Sequence, residues 1–139
     1  MPSAPSSLTE SPFIAHSNLA DALARKGRPH EALQHYQQAL EIDPESAKVH
    51  ANLGATLAEL ENYKEGIKEL EHALRIDPGY INARLNLASI LVSIGQMARA
   101  RSHYQLMLES SDERAHTAAR AAMAQLPESS FNSPAASTQ

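Results

Sequence analysis

Asparagine stands at positions 18, 52 and 86, with 34 residues between each and the next. A primary amide offers two N–H donors and a carbonyl acceptor, the complement of a peptide group, so a spaced row of amides can hold a polypeptide backbone without reading its side chains. Asparagine is a mediocre helix former, and its recurrence in one register asks for a reason outside propensity. Seven histidines raise the separate question of a metal. His16 and His50 share one position of the same period, and His35 and His103 share another. None shows His-x-x-x-His spacing on one face, and none has a carboxylate set as a catalytic partner in sequence, so they read as packing or surface residues. Phosphate loops, nucleophile elbows and paired acid/base motifs are absent. With no cysteine there is no thiolate ligand, nucleophile or disulfide, which suits a reducing compartment. The chemistry on offer is binding; no catalytic residue, metal or cofactor is expected.

The elements that carry these asparagines come from a repeat. Ala47 to Tyr80, moved back 34 positions, sets Asn52-Leu53-Gly54 on Asn18-Leu19-Ala20 and Ala73-Leu74-Arg75-Ile76-Asp77-Pro78 on Ala39-Leu40-Glu41-Ile42-Asp43-Pro44. Moved forward, it sets the triplet on Asn86-Leu87-Ala88. A 34-residue period rich in Ala and Leu predicts a helical solenoid, in which each unit buries its apolar face on its neighbours. The predicted repeats run over about 13–46, 47–80 and 81–112. In the first unit Ala15, Leu19, Ala20 and Leu23 recur at helical spacing up to Gly27. Pro29 then opens a second helix carrying Ala32, Leu33, Tyr36, Ala39 and Leu40, stopped before Pro44. The second unit carries Val49, Leu53, Gly54, Leu57 and Leu60, a turn at Glu61-Asn62, then Ile67, Leu70, Ala73 and Leu74. The third carries Leu87, Ala88, Leu91 and Ile94, a turn at Gly95, then Ala100, Tyr104, Met107 and Leu108.

Gly54 and Gly66 sit inside predicted helices, where glycine costs about 1 kcal/mol relative to alanine. Their columns hold Ala20 and Ala88, and Ala32 and Ala100, so small residues are expected to let paired helices approach closely. Ser110 with Glu113 predicts a capping box opening one more helix, over 112–126. Its stripe of Ala115, Ala118, Ala119, Ala122, Met123 and Leu126 suits a lid on the array. The run Lys64 to His72 reads as a solvated outer helix. Residues 1–12 and 127–139, rich in Ser and Pro, are expected to be disordered tails.

These columns resemble the tetratricopeptide repeat. The residues that carry the likeness are Leu19, Ala20, Leu23, Ala32, Tyr36, Ala39 and Pro44, then Leu53, Gly54, Leu57, Gly66, Leu70, Ala73 and Pro78, then Leu87, Ala88, Leu91, Ala100 and Tyr104. Departures are His16, His50 and Arg84 where a large residue is common, Met107 in an alanine column, and Asp112 in place of the closing proline. The resemblance implies an all-α, right-handed superhelical solenoid of three antiparallel helix pairs plus a capping helix. It also implies a concave groove, lined by the first helix of each pair, that receives a peptide or protein segment.

On that plan the expected groove residues are Asn18, Asn52, Asn86, Lys48, Ala51, Ala55, Leu85, Ser89 and Asp21, with Ala24, Ala58 and Val92 beside them and Glu59 as a further isolated charge. With first helices about 10 Å apart, an extended ligand rising about 3.4 Å per residue would meet an amide roughly every three residues. The row resembles the asparagine ladder of the O-linked N-acetylglucosamine transferases. Tetratricopeptide co-chaperones instead grip acidic C-termini through a clamp of Lys, Asn, Asn, Lys and Arg. The matching columns here hold Ser17, Asp21, Asn52, Asn82 and Asn86, so only Asn52 fits and Asp21 would repel a carboxylate.

The function expected is a non-catalytic interaction module or adaptor with a protein or peptide partner. Alternatives are a scaffold that associates with itself through the apolar end at Phe13 and Ile14, or the binding subunit of an enzyme carried on another chain. A net charge of −4 with scattered Lys and Arg gives no basic stripe for nucleic acid. No apolar run is long enough for a membrane span, and the N-terminus lacks the marks of a secretory signal, so a cytoplasmic protein is expected.

Overall fold

The computed structural model describes residues 11–126. The tails expected at 1–12 and 127–139 lie outside the described residues, apart from Ser11 and Pro12. Ser11 caps the first helix by accepting a hydrogen bond from the Ile14 N–H at 3.1 Å, and Pro12 takes the first helical position. The described residues are all-α: α1 (Pro12–Arg25), α2 (Pro29–Ile42), α3 (Ala47–Glu59), α4 (Tyr63–Ile76), α5 (Ile81–Ser93), α6 (Met97–Leu108) and α7 (Glu113–Ala124). They divide into two compact units, one up to Pro78 and one from Gly79.

In the first unit α1 packs on α2, α2 on α3, and α3 on α4. Ala20, Leu23, Ala32, Tyr36, Ala39, Val49 and Leu53 form its buried cluster, with Phe13, Leu33, Leu40 and Leu57 packed around it. Fully burying one such leucine contributes about 1.5–3 kcal/mol. α3 and α4 approach so closely at Gly54 and Gly66 that no larger residue fits without a shift, as their small columns predict. Leu19 departs from the expected core and is 45% exposed, while Leu53, its equivalent one repeat on, is 4% exposed. The difference is one of position: Leu53 lies in the cluster with the preceding helix pair, and α1 has no helix before it among the described residues. Ala15 is exposed on the same face for the same reason.

In the second unit α5 packs on α6, and α7 closes over both. Ala83, Leu87, Ala88, Leu91, Ala100, Tyr104, Met107, Ala115 and Ala119 are buried. Ile94, expected in this core, stands at the helix end and is 36% exposed. The expected capping box does not form. Asp112 is the N-cap, accepting from the Arg114 N–H at 2.9 Å, and Ser110 Oγ accepts instead from the Asp112 N–H at 3.0 Å. A carboxylate at a helix N-terminus also gains from the helix dipole, and here it takes the Arg114 guanidinium at 2.9 Å. That guanidinium and the Arg114 N–H hold the Asp112 carboxyl below its ordinary range.

Each helix pair turns through the same Schellman motif. The N–H of Arg28, Asn62 and Gln96 reaches back to the carbonyl of Leu23, Leu57 and Leu91 at 2.9, 2.9 and 2.8 Å. The preceding residue must take positive φ, and the column holds Gly27 (80°), Glu61 (62°) and Gly95 (83°). A polar pair nineteen positions apart ties the two helices of each repeat together. His16 Nδ1 lies 3.2 Å from His35 Nδ1, His50 Nδ1 lies 2.8 Å from Glu69 Oε1, and Arg84 Nη1 lies 3.0 Å from His103 Nδ1. His50 Nε2 also faces the Pro44 carbonyl at 2.8 Å, and its ring stacks on His72. The histidine columns are thus cross-helix ties, and Glu69 is a carboxylate partner that its sequence position did not reveal.

Candidate peptide-binding clefts

Each unit holds one cleft built on the same plan. Two helices with one helix between them in sequence, α1 and α3 in the first unit and α5 and α7 in the second, form its walls, and a tyrosine from the intervening helix forms its floor. In the first unit α1 contributes Asp21, Ala24 and Arg25, α3 contributes Lys48, Asn52, Ala55, Thr56 and Glu59, and Tyr36 of α2 lies beneath, enclosing about 390 Å³. In the second unit α5 contributes Leu85, Asn86, Ser89, Val92 and Ser93, α7 contributes Ala122, Gln125 and Leu126, and Tyr104 of α6 lies beneath, enclosing about 340 Å³.

The structure therefore brings Asp21, Lys48, Asn52 and Ala55 together in one cleft and Leu85, Asn86 and Ser89 in the other. Two expected groove residues are not among those lining these clefts. Asn18 is exposed on α1 and does not line the first cleft. Ala51 is 2% exposed and offers a ligand nothing. It lies three residues before Gly54, so the helical period turns it with Gly54 toward packing.

Asp21 organises the first cleft. Its Oδ1 accepts hydrogen bonds from the Tyr36 hydroxyl at 2.6 Å and from the Asn52 side-chain amide at 3.0 Å. Asn52 thus spends one of its two amide donors on a neighbour in its own fold, and the Thr56 hydroxyl donates to the Asn52 backbone carbonyl at 2.8 Å. Burial pushes the Tyr36 phenol well above its ordinary value, and the Asp21 carboxylate pushes it further, while Thr56 and Arg25 act more weakly the other way. Burial likewise raises the Tyr104 phenol in the second unit. The tyrosine floors, Thr56, Gln125 and Leu126 were not legible as site residues. The available signal was the Tyr36/Tyr104 column, whose members stand fifteen positions after Asp21 and Ser89 in the groove column.

Among the described residues no group of three or more His, Cys, Asp or Glu could hold a metal ion. No helix there is long and apolar enough to cross a membrane.

A sequence profile described as TPR repeat matches residues 20–60, and one described as Tetratricopeptide repeat matches residues 57–126, half of the chain. The chain belongs to the tetratricopeptide repeat family. No curated protein matches the sequence. Solved tetratricopeptide structures share the fold. The second TPR of Spaghetti (RPAP3), bound to the HSP90 peptide SRMEEVD, superposes with a TM-score of 0.67 at 20% identity, covering 71% of this chain and 94% of that one. The Arabidopsis OM64 TPR domain gives 0.68 at 18% identity, covering 82% and 96%. MamA 41-end from Desulfovibrio magneticus RS-1 gives 0.69 at 20% identity, covering 84% and 68%. At these identities the likeness speaks for the tetratricopeptide fold alone.

Proposed function

We propose that this tetratricopeptide protein is a non-catalytic interaction module whose two clefts each receive an extended polypeptide segment. The observation that carries the reading is the shared plan of the clefts, an open trough between helices with a side-chain amide in its wall, Asn52 in one and Asn86 in the other. An amide there can pair with a peptide group, and the small residues Ala55 and Ser89 leave room for a chain to lie along the helices. Asn52 keeps one donor and its carbonyl for this role, and Asn86 contributes from α5. Leu85, Val92 and Leu126 give the second cleft apolar contacts for an aliphatic side chain.

The acidic peptide SRMEEVD carried by the structural relative is not the ligand expected here. The columns that would form a carboxylate clamp hold Ser17, Asp21, Asn52, Asn82 and Asn86, without a lysine or arginine. Asp21 places a negative charge where such a peptide would bring another.

Selection from a random displayed peptide library tests the reading, using the wild type and a variant with Ala55→Trp and Ser89→Trp filling both troughs, each shown folded by circular dichroism. Enrichment by the wild type that the filled variant loses supports cleft binding. Enrichment of the same peptides by both, or none by the wild type, contradicts it.

Self-association is a second reading, and one observation favours it. Ile14 and Leu19 are 42% and 45% exposed on α1, and the equivalent of Leu19 one repeat on, Leu53, is buried. Phe13, the residue first expected to mark this surface, instead packs on the core cluster. A mass that rises with protein concentration, and stays monomeric for Leu19→Glu, would support this reading.

A further inference from the structure

We infer that the cleft of the first unit seats a positive charge of the bound segment on Asp21. The inference rests on the reading of the clefts as peptide sites and adds the chemical class that one of them takes. The two clefts share a plan and differ in charge. No Asp, Glu, Lys or Arg lines the second, whereas Asp21, Arg25, Lys48 and Glu59 line the first. Of these four only Asp21 is part-buried; the other three are exposed on long side chains that water and salt screen. Asp21 is also unique in its column, which holds Ala55 and Ser89 in the later repeats.

The Asp21 carboxylate is oriented but not neutralised. Both of its partners, the Tyr36 hydroxyl and the Asn52 amide, are uncharged, and both donate to Oδ1. Among the described residues Oδ2 accepts no hydrogen bond and Asp21 makes no ion pair. A fixed, part-desolvated carboxylate in the lining of a trough, with one oxygen that accepts no hydrogen bond among the described residues, is a preorganised acceptor for an ammonium or guanidinium group, and charge-assisted hydrogen bonds of this kind are the strong ones. In this account Asn52 is chiefly a positioning residue for Asp21, and Tyr36 fixes the carboxylate from below. Arg25 and Lys48, exposed in the same lining, are left to meet carboxylates elsewhere on the segment.

The cation has two possible sources in a polypeptide, a basic side chain and a free amino terminus. Titration of the isotope-labelled full chain with Ac-Gly-Lys-Gly-NH2, H-Gly-Gly-Gly-NH2 and Ac-Gly-Glu-Gly-NH2, followed at the Asn52 side-chain amide and the Asp21 backbone amide, separates them. Saturable shifts with one or both cationic peptides, at least tenfold weaker with the glutamate peptide, support the seat, and the stronger arm names the source. Asp21→Asn keeps an acceptor for Tyr36 and Asn52, so the fold is retained, and it should abolish the preference for the cation. Equal response to lysine and glutamate peptides, no saturable response to either cationic peptide, or a preference unchanged in Asp21→Asn overturns the seat. A library-selected peptide that shifts Asn86 and Ser89 but not Asp21 would also overturn it while leaving the cleft reading intact. Failure to select any peptide would overturn that reading itself.

Discussion

A β-carbon added to Gly54 would lie 2.9 Å from the Gly66 carbonyl oxygen, and one added to Gly66 would lie 2.9 Å from the Gly54 carbonyl oxygen. The contact is reciprocal and backbone to backbone, so neither side can yield by turning a side chain. Gly54→Ala would gain about 1 kcal/mol of helix propensity and lose about 1–3 kcal/mol to overpacking, with Leu70 Cγ also only 2.8 Å away. The expected result is net destabilisation, by up to about 2 kcal/mol, seen as a lower urea midpoint. A rise in that midpoint would show that α3 and α4 separate freely.

Glu61 holds the positive-φ place that glycine holds at Gly27 and Gly95. A left-handed conformation costs a side-chain-bearing residue about 1–2 kcal/mol, partly offset by the entropy a glycine loses on folding. Glu61→Gly should therefore stabilise the chain by about 1 kcal/mol or less, and Gly27→Ala should destabilise it by about 1 kcal/mol although open space surrounds the site. Urea unfolding of the two variants checks the opposite signs.

Leu19 and Leu53 occupy one column with opposite burial. Leu53→Ala should cost about 2–5 kcal/mol and Leu19→Ala no more than about 0.5 kcal/mol in the monomer. Similar losses from both, measured by denaturant unfolding at low protein concentration, would mean that α1 is covered in solution.

Tyr36 gives the fold an alkaline limit. Burial and the Asp21 carboxylate keep its proton on in the folded chain past the pH near 10 at which a free tyrosine ionises. Above that pH the unfolded chain binds fewer protons than the folded one, so stability is complete below about pH 10 and falls as pH rises. Tyr36→Phe should lower stability at neutral pH, by loss of the bond to Asp21, and flatten the decline above pH 10. Parallel curves for the two proteins would exclude Tyr36 as its source.

Most of the fold was legible because it repeats. Gly54 and Gly66 stood in columns of alanine, and Gly27, Glu61 and Gly95 aligned at the turn, so periodicity alone located close packing and chain reversal. What failed to show was whatever occurs once or at an end. Leu19 has the type of a core residue and, among the described residues, lacks the preceding helix that would bury it. Ser110 and Asp112 are both good caps, and the Arg114 guanidinium, which favours Asp112, is not visible in propensity. Ala51 was assigned to the groove from column position, which fixes a helix face only to within a fraction of a turn. Asn18 shares the column of Asn52 and Asn86 but stands on α1, which has no helix before it among the described residues to form a second wall. The bond between Asp21 and Tyr36 spans fifteen residues in the first repeat, and Leu70 in place of tyrosine removes its counterpart in the second. No period could announce it.

The central claim, that the clefts receive a polypeptide, is tested most directly by mapping where a library-selected peptide lands on the isotope-labelled full chain. The account predicts saturable shifts at the Asn52 side-chain amide and the Ala55 backbone amide, at the Asn86 side-chain amide and the Ser89 backbone amide, or at both sets, while Ser102, Gln105 and Leu106, which line a separate pocket on α6, stay unmoved. Shifts confined to those three residues of α6, with Asn52 and Asn86 still, would contradict it.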